Sequence, residues 1–161
     1  MTKAEAATDR TVLLVEDNPD HIMLLSALLE ERPYITRIQT ISDGLAAQRY
    51  VAEQPADRLP AAVLLDLKLP RVDGSEVLRQ IRLNPAWRDV PVIILTTSTA
   101  QADVALCRAF GATAYLTKVV TPAQLRSQVQ QAMDRWVAPP TSGYPSPGEL
   151  ARNPWELEYG F

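Results

Sequence analysis

A chain of 161 residues is long enough to bury a sizeable core and short for two ordinary domains. Hydrophobic residues at 47% and charged residues at 22% strike the balance of a soluble globular protein. A net charge of −3, with sixteen basic residues scattered along the chain, excludes general affinity for nucleic acid, which needs clustered Lys and Arg. No apolar stretch approaches the roughly 20 residues of a membrane-spanning helix. The first ten residues lack the apolar run of a signal peptide, and Cys107, the single cysteine, has no internal disulfide partner. A cytoplasmic protein, off the membrane and off nucleic acid, is the expectation.

Residues 1–10 read as a flexible N-terminus. Five short apolar runs then alternate with amphipathic stretches, the pattern of a parallel sheet covered on both faces by helices. The first strand is Thr11 to Val15, followed by the turn Glu16-Asp17-Asn18-Pro19. Ile22, Leu25, Leu28 and Leu29 recur at helical spacing in the first helix, which Pro33 closes. A second strand, Ile35 to Ile41, is only half apolar and suits a sheet edge. Asp43-Gly44 opens a helix to about Gln54, with Pro55 and Pro60 bracketing the loop beyond it. The third strand, Ala62 to Leu65, has no polar side chain until Asp66, as central strands do not. Helix three, Ser75 to Leu83, turns Val77, Leu78 and Ile81 inward. Strand four is Val92 to Thr96, and helix four runs from about Gln101 to Phe110, with Gly111 placed as its left-handed C-terminal residue. Strand five is Ala114 to Thr117. Helix five starts at the N-cap Thr121 with Pro122 in its first position, and carries Leu125, Val129, Met133 and Trp136 on its buried side. One domain therefore spans residues 11–137. Residues 138–161 hold five prolines, three glycines, Tyr144, Trp155, Tyr159 and Phe161, the composition of a C-terminal arm rather than a second domain.

The polar residues that interrupt the apolar runs all lie at the carboxyl ends of strands, where open parallel sheets bind their ligands. Glu16 and Asp17 follow strand one, Asp66 ends strand three, Thr96 and Thr97 end strand four, and Lys118 follows strand five. Three carboxylates packed together raise one another's pKa unless a cation sits between them. Oxygen donors without Cys or His suit a hard ion such as Mg²⁺, which takes one or two carboxylates and phosphate oxygens. An aspartate can become an aspartyl phosphate. The transferring group's charge needs neutralising, which the cation, the Lys118 ammonium, the Thr96 hydroxyl and the backbone N–H groups after Asp66 and Thr96 can supply.

Val15-Glu16-Asp17-Asn18-Pro19, Leu65-Asp66-Leu67-Lys68-Leu69-Pro70 with Asp73-Gly74, the Thr96-Thr97-Ser98 turn and Tyr115-Leu116-Thr117-Lys118 resemble the receiver domains of two-component response regulators, from about Thr11 to Val137. The resemblance implies a flavodoxin-like, doubly wound α/β fold with five parallel strands in the order 2-1-3-4-5. It implies Asp66 as phosphoacceptor, Asp17 as the principal ligand of Mg²⁺ (or Mn²⁺), Glu16 acting through water, and the Lys68 carbonyl completing the metal site. Lys118 corresponds to the phosphate-binding lysine, the backbone at Lys68 and Thr97 to phosphate donors, and Thr96 and Tyr115 to the switch pair. The implied partner is a sensor histidine kinase. Two departures stand out. Glu16 replaces the commoner Asp, and Val119 stands where the family usually has a cis proline. Because a cis bond before Val costs about 3 kcal/mol, the Lys118–Val119 peptide is expected trans. With Asn84-Pro85-Ala86-Trp87-Arg88 and the aromatic tail, the chain looks most like the single-domain regulators paired with bacterial phytochromes.

Each residue also has a plainer reading. His21 is read as a surface residue on the first turn of helix one, Asp20 as part of that helix start, and Cys107 as an unactivated helix residue. A phosphatase of the haloacid dehalogenase type would need a second Asp two residues after the nucleophile, where Lys68 stands. A flavin or nucleotide binder would need a glycine- or hydroxyl-rich loop in place of Glu16-Asp17-Asn18-Pro19, and a receiver-like scaffold without phosphotransfer sits poorly with Asp17, Asp66, Thr96 and Lys118 all present. A signalling switch rather than an enzyme is expected, acting through protein contacts or as a phosphate carrier in a relay, and as a homodimer to which the arm contributes aromatic anchors.

Overall fold

The computed structural model describes residues 9–139. Five parallel strands stand in the order β2-β1-β3-β4-β5, with helices on both faces. The strands are β1 (Thr11–Val15), β2 (Arg37–Ile41), β3 (Ala62–Leu65), β4 (Val92–Thr96) and β5 (Ala114–Thr117). The helices are α1 (Pro19–Glu30), α2 (Gly44–Glu53), α3 (Gly74–Leu83), α4 (Gln101–Ala109) and α5 (Pro122–Trp136). This is the doubly wound arrangement that the sequence implies.

Strand alternation builds two cores, because successive side chains leave a strand on opposite faces. Val12, Leu14, Leu64, Ile93, Leu95 and Leu116 pack against Leu25, Leu28 and Leu29 of α1 and Leu125, Val129 and Met133 of α5. Leu13, Val15, Val63, Leu65, Ile94 and Tyr115 pack against α2, α3 and α4 through Val51, Leu78, Ile81 and Val104. β3 is buried at every position, as its unbroken apolar run requires. Each such aliphatic side chain contributes about 1.5–3 kcal/mol by leaving water. Trp87, fully buried, meets the Tyr50 ring edge-on with centroids 6.1 Å apart.

Local chemistry sets the helix starts that frame the strand ends. Asn18 caps α1, its side-chain oxygen accepting from the Asp20 and His21 N–H groups, with Pro19 in the first turn. Asp43 and Asp73 cap α2 and α3, and Thr121 with Gln124 forms a reciprocal capping box on α5. Gly111 ends α4 at φ 89°, the left-handed geometry anticipated from its position. Gly74 answers a tighter demand: a Cβ there would sit 2.0 Å from the Asp66 carbonyl oxygen.

Two local expectations are revised. β2 begins at Arg37 rather than Ile35, because the Ile35 N–H turns back to the Arg32 carbonyl and its side chain packs on the α1–α5 core. At the end of α5, Trp136 is only half-buried while Arg135 is buried, its guanidinium 4.5 Å from the Trp136 ring centre. Of the N-terminus expected flexible (1–10), residues 1–8 lie outside the described residues, while the Arg10 N–H donates to Thr36 Oγ1 and the Thr36 hydroxyl donates to Asp9; of the expected arm (138–161), residues 140–161 lie outside the described residues.

Candidate functional site

In the order 2-1-3-4-5 the chain first winds outward from β1 to β2, then crosses to β3 and winds the other way. The carboxyl ends of β1 and β3 are thus the point where winding reverses, the usual ligand site of such sheets. Glu16 and Asp17 leave β1 there, and Asp66 leaves β3 beside them. Their backbones are tied into the sheet, the Asp66 N–H to the Val15 carbonyl and the Glu16 N–H to the Ile41 carbonyl, both at 3.0 Å. Carboxylate oxygens of Glu16, Asp17 and Asp66 lie within 4.8 Å of one another. Asp17 is exposed, whereas Glu16 and Asp66 are buried.

Lys118 comes from two strands away. Strands lie about 4.8 Å apart, so only a long side chain leaving β5 can cross β4 to reach β3. Its ammonium donates to Glu16 Oε2 at 2.8 Å and Asp66 Oδ2 at 3.1 Å, and its backbone N–H bonds the Thr96 carbonyl at 2.8 Å. The Lys118–Val119 peptide is trans, as expected before a non-proline residue, and the Val119 N–H donates to Thr117 Oγ1. The trans loop nevertheless delivers the ammonium to the carboxylates.

The electrostatics differ from simple mutual repulsion. Burial pushes the Glu16 carboxyl up, and its hydrogen bond to Asp66 adds to that. Burial also acts to raise Asp66, but the hydrogen bond from Glu16, the charge of Lys118 and the Lys68 N–H together hold it below its ordinary value. The three carboxylates were expected to raise one another; Asp66 goes down instead, because Lys118 lies against it and Glu16 is the better proton holder. One acid is kept protonatable and its neighbour ionised.

The remaining predicted residues surround this centre. The Lys68 side chain is exposed, and its backbone N–H donates to Asp66 Oδ1 at 3.2 Å. Thr96 is buried at the end of β4, its hydroxyl accepting from the Ser98 N–H at 3.4 Å, and Thr97 next to it is exposed. Tyr115 points inward, fully buried, and its hydroxyl donates to the Ser98 carbonyl at 3.0 Å. Burial pushes that phenol up to about 12.

His21 is the residue that sequence reasoning missed. It is no mere surface residue: its Nδ1 lies 3.0 Å from Glu16 Oε1 and 3.0 Å from the Lys118 ammonium. Only its place three residues after the capping Asn18, on the turn that rises beside Glu16, hinted at this.

The donor set around Asp66 is all oxygen, which fits a hard divalent cation and not a thiolate-seeking metal. A buried aspartate beside a lysine, with acidic residues at the neighbouring strand end, is also the arrangement of a phosphoryl acceptor. The family model of the response regulator receiver domain matches residues 12–130. The chain belongs to the response regulator receiver family. The probable methanogenesis regulatory protein FilR2 of Methanothrix harundinacea is 38% identical over 83% of this chain and 87% of its own length. Response regulator Rcp1 of Synechocystis is 33% identical over 83% of this chain and 92% of its own. Its Mn²⁺-bound structure superimposes with a TM-score of 0.72 at 34% identity, covering 84% of this chain and 99% of that one. The phosphorylated cyanobacterial phytochrome response regulator RcpA gives a TM-score of 0.74 at 30% identity, over 81% of this chain and 95% of that one. Among receivers, this one is similar to phytochrome response regulators. No helix among the described residues is long and apolar enough to cross a membrane.

Proposed function

We propose that this receiver accepts a phosphoryl group from a sensor histidine kinase onto Asp66, and that it signals by protein–protein contact or by passing the group onward. The observation that carries the reading is the state of Asp66: buried, held below its ordinary pKa, and 3.1 Å from an ammonium. An ionised carboxylate is the nucleophile the step requires. One of its oxygens attacks the phosphorus of a phosphohistidine; the O–P bond forms as the P–N bond breaks, and the imidazole leaves with the electron pair and takes up a proton. Lys118 neutralises charge gathering on the phosphoryl oxygens, and the Lys68 and Thr97 backbone N–H groups are further donors. Glu16, Asp17, Asp66 and the Lys68 carbonyl would hold Mg²⁺ or Mn²⁺, which when bound adds positive charge at the same place. Thr96 and Tyr115 form the switch: the Tyr115 hydroxyl, held on the Ser98 carbonyl, ties the inward ring to the loop that follows Thr96.

The likeness to RcpA and Rcp1, with Val119 after the lysine and the buried Trp87, supports a phytochrome-type kinase as the donor. Residues 11–137 are the receiver, with 1–10 as a short lead and 138–161 as a proline- and aromatic-rich extension. The protein is a cytoplasmic regulator without enzymatic output. It pairs as a homodimer that the arm helps to hold, since Tyr144, Trp155, Tyr159 and Phe161 are the anchor type of side chain. Wild type and Asp66→Asn are incubated with a phosphorylated kinase or acetyl phosphate, with and without Mg²⁺, and weighed intact. Labelling of wild type alone, and only with the cation, supports the assignment; equal labelling of both proteins overturns it. Light scattering of the chain truncated after Val137 tests the arm, and undiminished dimerisation would remove it from assembly.

A further inference from the structure

A lysine ammonium carries three N–H donors, and a buried one that finds no acceptor is costly. Lys118 is 6% exposed; its ammonium donates to Glu16 Oε2 at 2.8 Å and Asp66 Oδ2 at 3.1 Å, and its third neighbour is His21 Nδ1 at 3.0 Å, a ring nitrogen that also lies 3.0 Å from Glu16 Oε1. Two are carboxylates that phosphorylation engages, since Asp66 is esterified and Glu16 belongs to the cation site. The third is a ring nitrogen that is neither esterified nor among the residues of the cation site. Lys118 and His21 also border a cavity of about 170 Å³ whose other walls, Leu24, Leu25, Val120, Pro122 and Leu125, include none of the carboxylates. Those walls offer the ammonium no side-chain acceptor.

We propose that His21 is a positioning residue for the phosphotransfer, its Nδ1 accepting from the Lys118 ammonium and keeping it aimed at Asp66 while the carboxylates are occupied. The inference rests on the reading of Asp66 as phosphoacceptor. Acceptance at Nδ1 places the ring proton on Nε2. The backbone beneath the ring is fixed: the His21 backbone N–H donates to the side-chain oxygen of the capping Asn18 at 3.4 Å, in the first turn of α1. Its side chain is only 35% exposed. Without this acceptor the four-carbon stem of Lys118 regains rotamer freedom, and a small misplacement of a catalytic cation is enough to slow a reaction.

The test uses the full chain at saturating Mg²⁺ with phosphoramidate as donor, following phosphorylation by quenched intact mass. His21→Leu removes the acceptor; His21→Asn restores an acceptor oxygen close to the place of Nδ1. The Leu variant should lower the rate constant at saturating donor roughly tenfold, about 1.4 kcal/mol of barrier, with Asn within about threefold of wild type. In a Lys118→Met background His21→Leu should cost nothing further, the signature of action through Lys118. A second readout needs no phosphodonor. The Lys118 Nζ–H signal in ¹H–¹⁵N spectra should be protected from exchange in wild type and His21→Asn and lost in His21→Leu. An unchanged rate in the Leu variant, an equal loss without Lys118, an Asn variant as slow as Leu, or an unaltered ammonium signal each overturns the proposal. Failure of wild type to label at all would instead strike the phosphoacceptor reading, and the ammonium signal would still decide His21.

Discussion

Lys118→Met removes an ammonium that faces two buried carboxylates, and its cost in the metal-free protein can be bounded from the structure. Glu16 and Asp66 are 2% and 8% exposed at the side chain, so water screens them poorly. Breaking a buried ion pair by deleting one partner costs about 3–5 kcal/mol. Here a proton offers an escape. Glu16 is already pushed up from its ordinary 4.5 and can neutralise itself, which at pH 7 costs at most about 1.4 kcal/mol for each of the roughly 2.5 pH units above that value. The ceiling is therefore about 3.5 kcal/mol at pH 7, and about 1.4 kcal/mol near pH 5.5. The sign follows from the raised carboxyl: the folded variant binds a proton that the unfolded chain does not, so its deficit shrinks as pH falls. Urea unfolding in EDTA at both pH values measures this, and the pH 7 loss should lower Tm by roughly 10 °C. Millimolar Mg²⁺ should raise the Tm of Lys118→Met more than that of wild type, because the cation supplies the missing counter-charge. A deficit independent of pH, or one below about 0.5 kcal/mol, would refute this account of the cluster.

Asp17→Ala should abolish the Mg²⁺-induced rise in Tm while leaving the metal-free fold intact, since Asp17 is exposed; an unchanged rise in thermal melts would remove it from the cation site. Gly74→Ala drives a Cβ to 2.0 Å from the Asp66 carbonyl oxygen. It should cost about 3 kcal/mol in urea unfolding and slow labelling by acetyl phosphate, because backbone and not a flexible side chain must move. Cys107 is fully buried, and burial, with Asp103 and Asp73, pushes its thiol up to about 12 from 9.0. A raised pKa gives stability that is complete below the unfolded value and drains as pH rises toward the folded one. Between about pH 9.5 and 11, wild type should therefore lose about 1.4 kcal/mol per pH unit more than Cys107→Ala, read from urea midpoints against pH; parallel curves would contradict it.

The apolar runs fixed five strands and their helices because a parallel sheet buried on both faces tolerates little else, and β3 with its four buried residues shows that logic at its plainest. Caps and turns were equally legible. Asn18, Asp43, Asp73, Thr121 and Gly111 each act on backbone within a few residues, so local chemistry suffices to place them. The sequence also brought Glu16, Asp17, Asp66 and Lys118 to one end of the sheet, since each follows a strand. What it could not decide is how charges share that end. The Lys118 ammonium meets Glu16 from 102 residues away and His21 from 97 residues away. No periodicity encodes such contacts, which arise only when β1, β3 and β5 settle at fixed spacing. The lowering of Asp66 is of the same kind. Three carboxylates on a list repel one another; folded around an ammonium, with Glu16 the better proton holder, they leave Asp66 ionised. Sequence determined which groups are present and which end of the sheet they share. Tertiary structure decided which acid keeps its charge and that the only histidine stands beside the lysine, because both depend on distances of about 3 Å.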